Sequence, residues 1–119
     1  MVLIAAWREL RPAAVERRRQ ALLEVLEPGR TELARGERVG IVSGATLGRA
    51  VGNGIRLDEE SVSAHHAVFR RDGGRWWLED LGSTNGTFVN DTRVTGRAPL
   101  QSGDVIQVGR VTARFTVAR

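Results

Sequence analysis

The sequence predicts an all-β fold, an antiparallel β-sandwich, and three observations carry that prediction. From Arg30 onward, short apolar or alternating runs are separated by turns rich in Gly, Asn and Asp. Asp72-Gly73-Gly74 stands between Ala67 to Arg71 and Arg75 to Glu79, a strong signal for a tight hairpin. In the closing run, Val111, Ala113, Phe115 and Val117 fall on one face, with Thr112, Arg114 and Thr116 on the other. Strands this short bury one face each, so a second sheet has to cover the first.

The elements follow in chain order. Leu3, Ile4, Trp7 and Leu10 recur at helical spacing and Ala13 to Gln20 is rich in helix formers, so residues 1–20 read as a helical N-terminal extension. Propensity alone would carry that helix through Leu26 to the Pro28-Gly29 breaker. Leu47-Gly48-Arg49 reads as the end of a strand. Thr87 to Val89 and Arg93 to Val94 flank a reversal at Asn90-Asp91-Thr92. Val105 to Val108 and Val111 to Val117 flank another at Gly109-Arg110.

Composition narrows the function classes. A chain of 119 residues with 41% hydrophobic and 27% charged residues has the length and balance of one globular domain with a modest core. Without cysteine, disulfides, thiolate catalysis and cysteine-based zinc sites are excluded together. All 18 basic residues are arginine, which excludes lysine chemistry and supplies planar donors suited to phosphate and carboxylate. The net charge of +4 permits nonspecific phosphate contacts, yet the arginines are dispersed apart from Arg17-Arg18-Arg19, and no specific nucleic-acid partner is expected. MVLIAAW is too short to span a bilayer, which takes about 20 residues, and it lacks signal-peptide flanks. The expected location is cytoplasmic. The inner face of the membrane is the second placement, should this segment be the trimmed end of an anchor.

Catalytic readings are weak. Ser63 and His66 are spaced like a nucleophile and a base, but no nucleophile elbow surrounds the serine. His65 and His66 are adjacent, and on an extended chain they point to opposite sides, which rules against a shared metal ion. No glycine pair matches a nucleotide-binding fingerprint. No enzyme activity, cofactor or metal is expected.

Three segments instead offer groups that hold a phosphate and none that would break it. Leu47-Gly48-Arg49 offers a guanidinium and Ser61-Val62-Ser63 offers hydroxyls. Gly82-Ser83-Thr84-Asn85-Gly86 offers hydroxyls, an amide, and backbone N–H groups that could form an anion-binding nest. The chain from about Ala21 to Arg119 resembles the forkhead-associated (FHA) domain, a phosphothreonine-binding β-sandwich. The resemblance rests on Gly48-Arg49, Asn53-x-Ile55-x-Leu57, Val62-Ser63-x-x-His66-Ala67, Asp80 to Thr87, Val89-Asn90 and Leu100-x-x-Gly103-Asp104.

The resemblance implies a domain at 21–119 behind an extension at 1–20, with Ala21 to Glu27 as the first strand despite its helical propensity. It implies that Arg49 pairs with the phosphate, Ser63 donates its hydroxyl to a phosphate oxygen, and Thr84 contributes from the neighbouring loop. Asn85 would bond the peptide backbone beside the phosphothreonine. Gly48, His66 and Gly86 would be architectural, the histidine bracing the binding loops. The partner implied is a threonine-phosphorylated protein or a Ser/Thr protein kinase. A scaffold that binds independently of phosphate is the alternative, and a nucleic-acid binder a more distant one. The sequence departs from the family pattern at Ala64, where many members carry arginine or another polar donor, and at Gly54, where aspartate is common.

Overall fold

The computed structural model describes residues 21–117, so the expected N-terminal helix at 1–20 lies outside the described residues. Eleven strands run in order: β1 (Ala21–Glu27), β2 (Arg38–Ile41), β3 (Thr46–Gly48), β4 (Ile55–Arg56), β5 (Ala67–Asp72) and β6 (Arg75–Asp80). They continue with β7 (Thr87–Val89), β8 (Thr92–Arg93), β9 (Arg97–Leu100), β10 (Val105–Val108) and β11 (Val111–Val117). They form a six-stranded sheet, β2-β1-β11-β10-β7-β8, and a five-stranded sheet, β4-β3-β5-β6-β9. The sheets are antiparallel except for β3 and β4, which pair in parallel through Leu47 opposite Ile55. That parallel pair is the one departure from the expected antiparallel pattern. It arises because the segment from Arg49 to Gly54 carries the chain back to the level of Leu47 before β4 begins, rather than reversing in a hairpin.

The turns follow their residues. Gly73 and Gly74 both take positive φ, 63° and 76°, and form the two-residue connection between β5 and β6. Asn90 and Asp91, at φ 49° and 70°, do the same between β7 and β8. The reversal is therefore two residues long, and Thr92 already belongs to the next strand. Segment 21–27, helical by propensity, is a strand because Ala21, Leu23 and Val25 alternate into the core while β2 and β11 pair with its two edges.

The core lies between the sheets. Phe115 on β11 is completely buried; it stacks on Phe69 of β5 at a centroid distance of 6.1 Å and meets Trp76 of β6 edge-on at 5.9 Å. One aromatic side chain of the first sheet thus touches two of the second. Leu23, Ile41, Leu47, Leu78, Leu100 and Ile106 fill the space around it. Among the described residues no helix is long and apolar enough to cross a membrane.

Phe115→Ala is expected to lower the stability of the fold by about 3–5 kcal/mol. Urea denaturation measures it, and a loss below about 1 kcal/mol would mean that the aromatic contact does not join the two sheets.

Candidate functional site

The loops at one end of the sandwich meet around an open depression lined by Arg49, Ser63, Thr84 and Asn85, with Glu60, Ser61, Val62 and Ala64 completing it. Arg49 follows β3 directly. Its Nε donates to the Val62 carbonyl at 3.0 Å and its backbone N–H donates to the Ser63 carbonyl at 2.9 Å. The stem is anchored and the terminal Nη groups remain for an external acceptor. Arg49 itself is exposed, and the described residues place no carboxylate in an ion pair with it.

Gly48, just before Arg49, is required by crowding. A Cβ there would run into the Ala64 carbonyl and would lie 2.7 Å from Nδ2 of Asn53. That amide nitrogen donates to the carbonyls of Ala50 and Ala64 at 2.8 and 2.9 Å, pinning the arginine loop to the serine loop. Asn53 had been visible only as part of a pattern; its tether is what the pattern encodes.

His66 joins the other two loops. The ring is fully buried. Nδ1 accepts the Ser63 backbone N–H at 3.0 Å, which leaves Nε2 to carry the proton and donate to the Gly86 carbonyl at 2.9 Å. Both ring nitrogens are occupied by backbone, and neither touches the Ser63 hydroxyl. Among the described residues the Ser63–His66 pair therefore lacks the nucleophile–base hydrogen bond that its spacing suggested. His65 is exposed on the other side of the chain. Gly86 takes φ 89°, a conformation in which a side chain is strained, and this aims its carbonyl at the imidazole.

The Gly82–Gly86 loop differs from the nest anticipated for it. The N–H groups of Gly82 and Ser83 donate to Oδ2 of Asp80 at 3.0 and 3.1 Å. That of Thr84 donates to the Ser63 hydroxyl oxygen at 3.0 Å, and that of Gly86 to the Ser83 hydroxyl at 3.0 Å. These four donors are spent inside the protein. Besides the backbone N–H of Asn85, what the loops leave for an anion are side-chain groups: the Arg49 Nη atoms, the proton of the Ser63 hydroxyl, and the hydroxyl of Thr84. Asn85 donates through Nδ2 to the Ser61 carbonyl at 2.8 Å, which keeps its Oδ1 and its second amide hydrogen available.

Asp80 organises this loop; the sequence shows it only as the first residue of the Asp80 to Thr87 motif, without a role of its own, because one aspartate at a strand end resembles any turn residue. Its Oδ1 also accepts the hydroxyls of Ser83 and Thr87 at 2.6 and 2.7 Å. Burial pushes the carboxyl up, but those hydroxyls and the N–H groups of Ser83 and Gly82 outweigh it and hold the group below the ordinary aspartate value. Glu59, buried beneath the Ser61 loop, is likewise lowered. The backbone N–H of Arg30 contributes most, followed by that of Ser61, and the two outweigh burial.

The sequence model of the FHA domain matches residues 45–109, more than half of the chain. The chain belongs to the FHA domain family. It is similar to the glycogen accumulation regulator GarA of Mycolicibacterium smegmatis, at 44% identity over 70 residues, which are 59% of this chain and 44% of that protein. The chain spans about half the length of the curated relatives it matches. Among solved FHA domains, one from a structural and functional analysis of phosphothreonine-dependent FHA domain interactions superposes with a TM-score of 0.71 at 30% identity, over 84% of this chain and 98% of that one. Mycobacterium tuberculosis EmbR, in complex with a low-affinity phosphopeptide, superposes with a TM-score of 0.73 at 27% identity, over 89% of this chain and 28% of that one. The FHA match begins at β3 and so includes every residue lining the depression.

His66→Ala should lower the melting temperature of this FHA domain as well as weaken whatever binds in the depression. It leaves a part-buried N–H and a buried carbonyl without partners, a loss of about 2–4 kcal/mol. Thermal melting checks it, and an unchanged melting temperature would remove the bracing role.

A second expectation concerns acid. A carboxyl held below its unfolded value stabilises the fold fully above that value, and the contribution is lost as pH falls through the folded value. Asp80→Asn should therefore be less stable than the natural chain at pH 7, and the gap should close below about pH 4. Urea midpoints across a pH series would show this; a gap that stays constant on acidification would exclude the Asp80 carboxylate as its source.

Proposed function

We propose that this domain is a non-catalytic module that recognises threonine-phosphorylated peptides in Ser/Thr-kinase signalling. The observation that carries the reading is the Arg49 guanidinium, anchored through Nε at the rim of a depression that it shares with Ser63, Thr84 and Asn85. A phosphate brings about −1.5 to −2 charge and three acceptor oxygens to these donors. Arg49 pairs with two of those oxygens through its free Nη groups, as a planar fork does best. Ser63 gives its hydroxyl proton, since its oxygen already accepts from Thr84. Thr84 contributes its own hydroxyl, and Asn85 bonds the peptide backbone next to the phosphothreonine. Gly48, His66 and Gly86 hold the three loops in place.

Charge-assisted hydrogen bonds contribute about 1.5–3 kcal/mol each before the cost of association. Two or three of them give a grip in the micromolar range, suited to reversible signalling. Ala64 withholds a further donor, which keeps the affinity at that level. The partner is a phosphorylated protein or a Ser/Thr kinase in the cytoplasm, or at the inner face of the membrane if an anchor precedes the domain. The phosphothreonine-dependent interactions reported for one solved FHA domain and the phosphopeptide bound to EmbR support this reading.

A titration with three peptides that differ only at one residue tests it. The phosphothreonine form should bind between several-fold and about a hundredfold more tightly than the phosphoserine form, because burial of the γ-methyl would add to the charge. The unphosphorylated form should bind negligibly. Arg49→Ala should abolish most binding with the fold intact, and Arg49→Lys should be impaired because an ammonium lacks the planar fork. Equal affinity for all three peptides, or full affinity in a folded Arg49→Ala variant, would sink the proposal.

A further inference from the structure

Asn85 is exposed on a loop, yet its amide is held by a chain of contacts that starts in the interior. Nδ2 donates to the Ser61 carbonyl at 2.8 Å. Ser61 is fixed in turn by groups outside the depression. Its N–H and its hydroxyl both donate to Oε1 of Glu59, at 3.1 and 3.0 Å. The same hydroxyl oxygen accepts the Arg110 backbone N–H at 2.9 Å, from the turn between β10 and β11. Glu59 is only 2% exposed, and its other oxygen accepts the Arg30 N–H at 2.8 Å. The Arg110 guanidinium stands 3.8 Å from Oε1. Gly109 makes room for this packing, since a Cβ there would run into the Ser61 hydroxyl and carbonyl.

A buried carboxylate is costly unless donors and a cation surround it. Here the donors come from three separate segments, and two of the bonds converge on one small residue. An apolar side chain in place of Glu59 could fill the same space. It could not fix the direction of the Ser61 peptide, and that direction is what the Asn85 amide reads.

We infer that Glu59 and Ser61 are positioning residues for the depression: the buried carboxylate fixes Ser61, and the Ser61 carbonyl sets the Asn85 side chain before a ligand arrives. The inference rests on the reading of Asn85 as a ligand for the peptide backbone. Fixing an exposed side chain in advance removes part of its ordering cost on binding. Glu59 and Ser61 act through Asn85, and their effect on affinity disappears when Asn85 is gone.

The test is a double-mutant cycle on the full 119-residue chain, using as probe the tightest-binding member of a phosphothreonine peptide library. Ser61→Ala removes the hydroxyl tied to Glu59 and Arg110; Glu59→Ala removes the carboxylate. Each should weaken binding by about three- to tenfold in the natural background, and by less than about twofold when Asn85→Ala is already present. Ser61→Ala, the milder change, carries the test if Glu59→Ala does not fold.

A ligand-free measurement runs beside it. By NMR, one Asn85 side-chain amide proton should show the shift and slowed exchange of a hydrogen-bonded group, and Ser61→Ala should return it toward a free amide. Losses that add equally with and without Asn85, or an Asn85 amide that Ser61→Ala leaves unchanged, would overturn the inference. Those results would leave the Arg49 site standing. Full affinity in Arg49→Ala would instead remove the phosphate site, and the amide measurement would still decide whether Glu59 and Ser61 position Asn85.

Discussion

The imidazole of His66 is where the two sheets are made to agree about the position of their loops. Ser63 belongs to the approach to β5 in one sheet, and Gly86 lies immediately before β7 in the other. Each presents a backbone group that must find a partner once buried, and a single ring supplies both, one as acceptor and one as donor. Because the two nitrogens of a neutral imidazole have opposite roles, the tautomer, the ring orientation and the spacing of the loops are all fixed at once. Arg49 depends on this indirectly: its Nε and its backbone N–H hold on to the Val62 and Ser63 carbonyls, and Ser63 is positioned by the ring.

A second organising group, Asp80, does for the interior of one loop what His66 does between loops. Its carboxylate collects two backbone N–H groups and two hydroxyls, and the loop closes around it. A loop with so many donors could have served as a cradle of backbone amides for an anion. Satisfying them internally exchanges that capacity for rigidity. In the proposed complex an incoming anion meets mainly side chains with defined geometry, a guanidinium and two hydroxyls, rather than a pliable ring of N–H groups.

Much of this was legible in the residues, for identifiable reasons. The β5–β6 hairpin is announced by consecutive glycines that accept positive φ, and β11 by its strict alternation, both of which are local signals. The lining residues were legible as a set through their spacing and family resemblance; the structure brings Arg49, Ser63, Thr84 and Asn85 to one depression. What was not legible depends on contacts distant in sequence. The parallel β3–β4 pair follows from how the loop between them folds back, and β9 carries Pro99, which speaks against a strand except at the edge where this one lies. The capture of the loop N–H groups by Asp80 and Ser63 requires knowing which acceptors lie beneath them. Glu59 reads as one acid among three in Asp58-Glu59-Glu60, and only burial sets it apart from its neighbours.

The pairing of β1 with β11 also decides how this unit can be wired into a polypeptide. Ala21 lies opposite Val117, so the chain enters and leaves the sandwich side by side. The depression is at the other pole, where Arg30 and Arg110 reach Glu59 and Ser61. Seven residues of strand, about 20 Å, separate the two poles. Ala21 and Val117 are therefore neighbours at the end of the sandwich away from the depression. Adjacent ends of this kind are the geometry that tolerates insertion of a domain into a host chain as readily as attachment at one end.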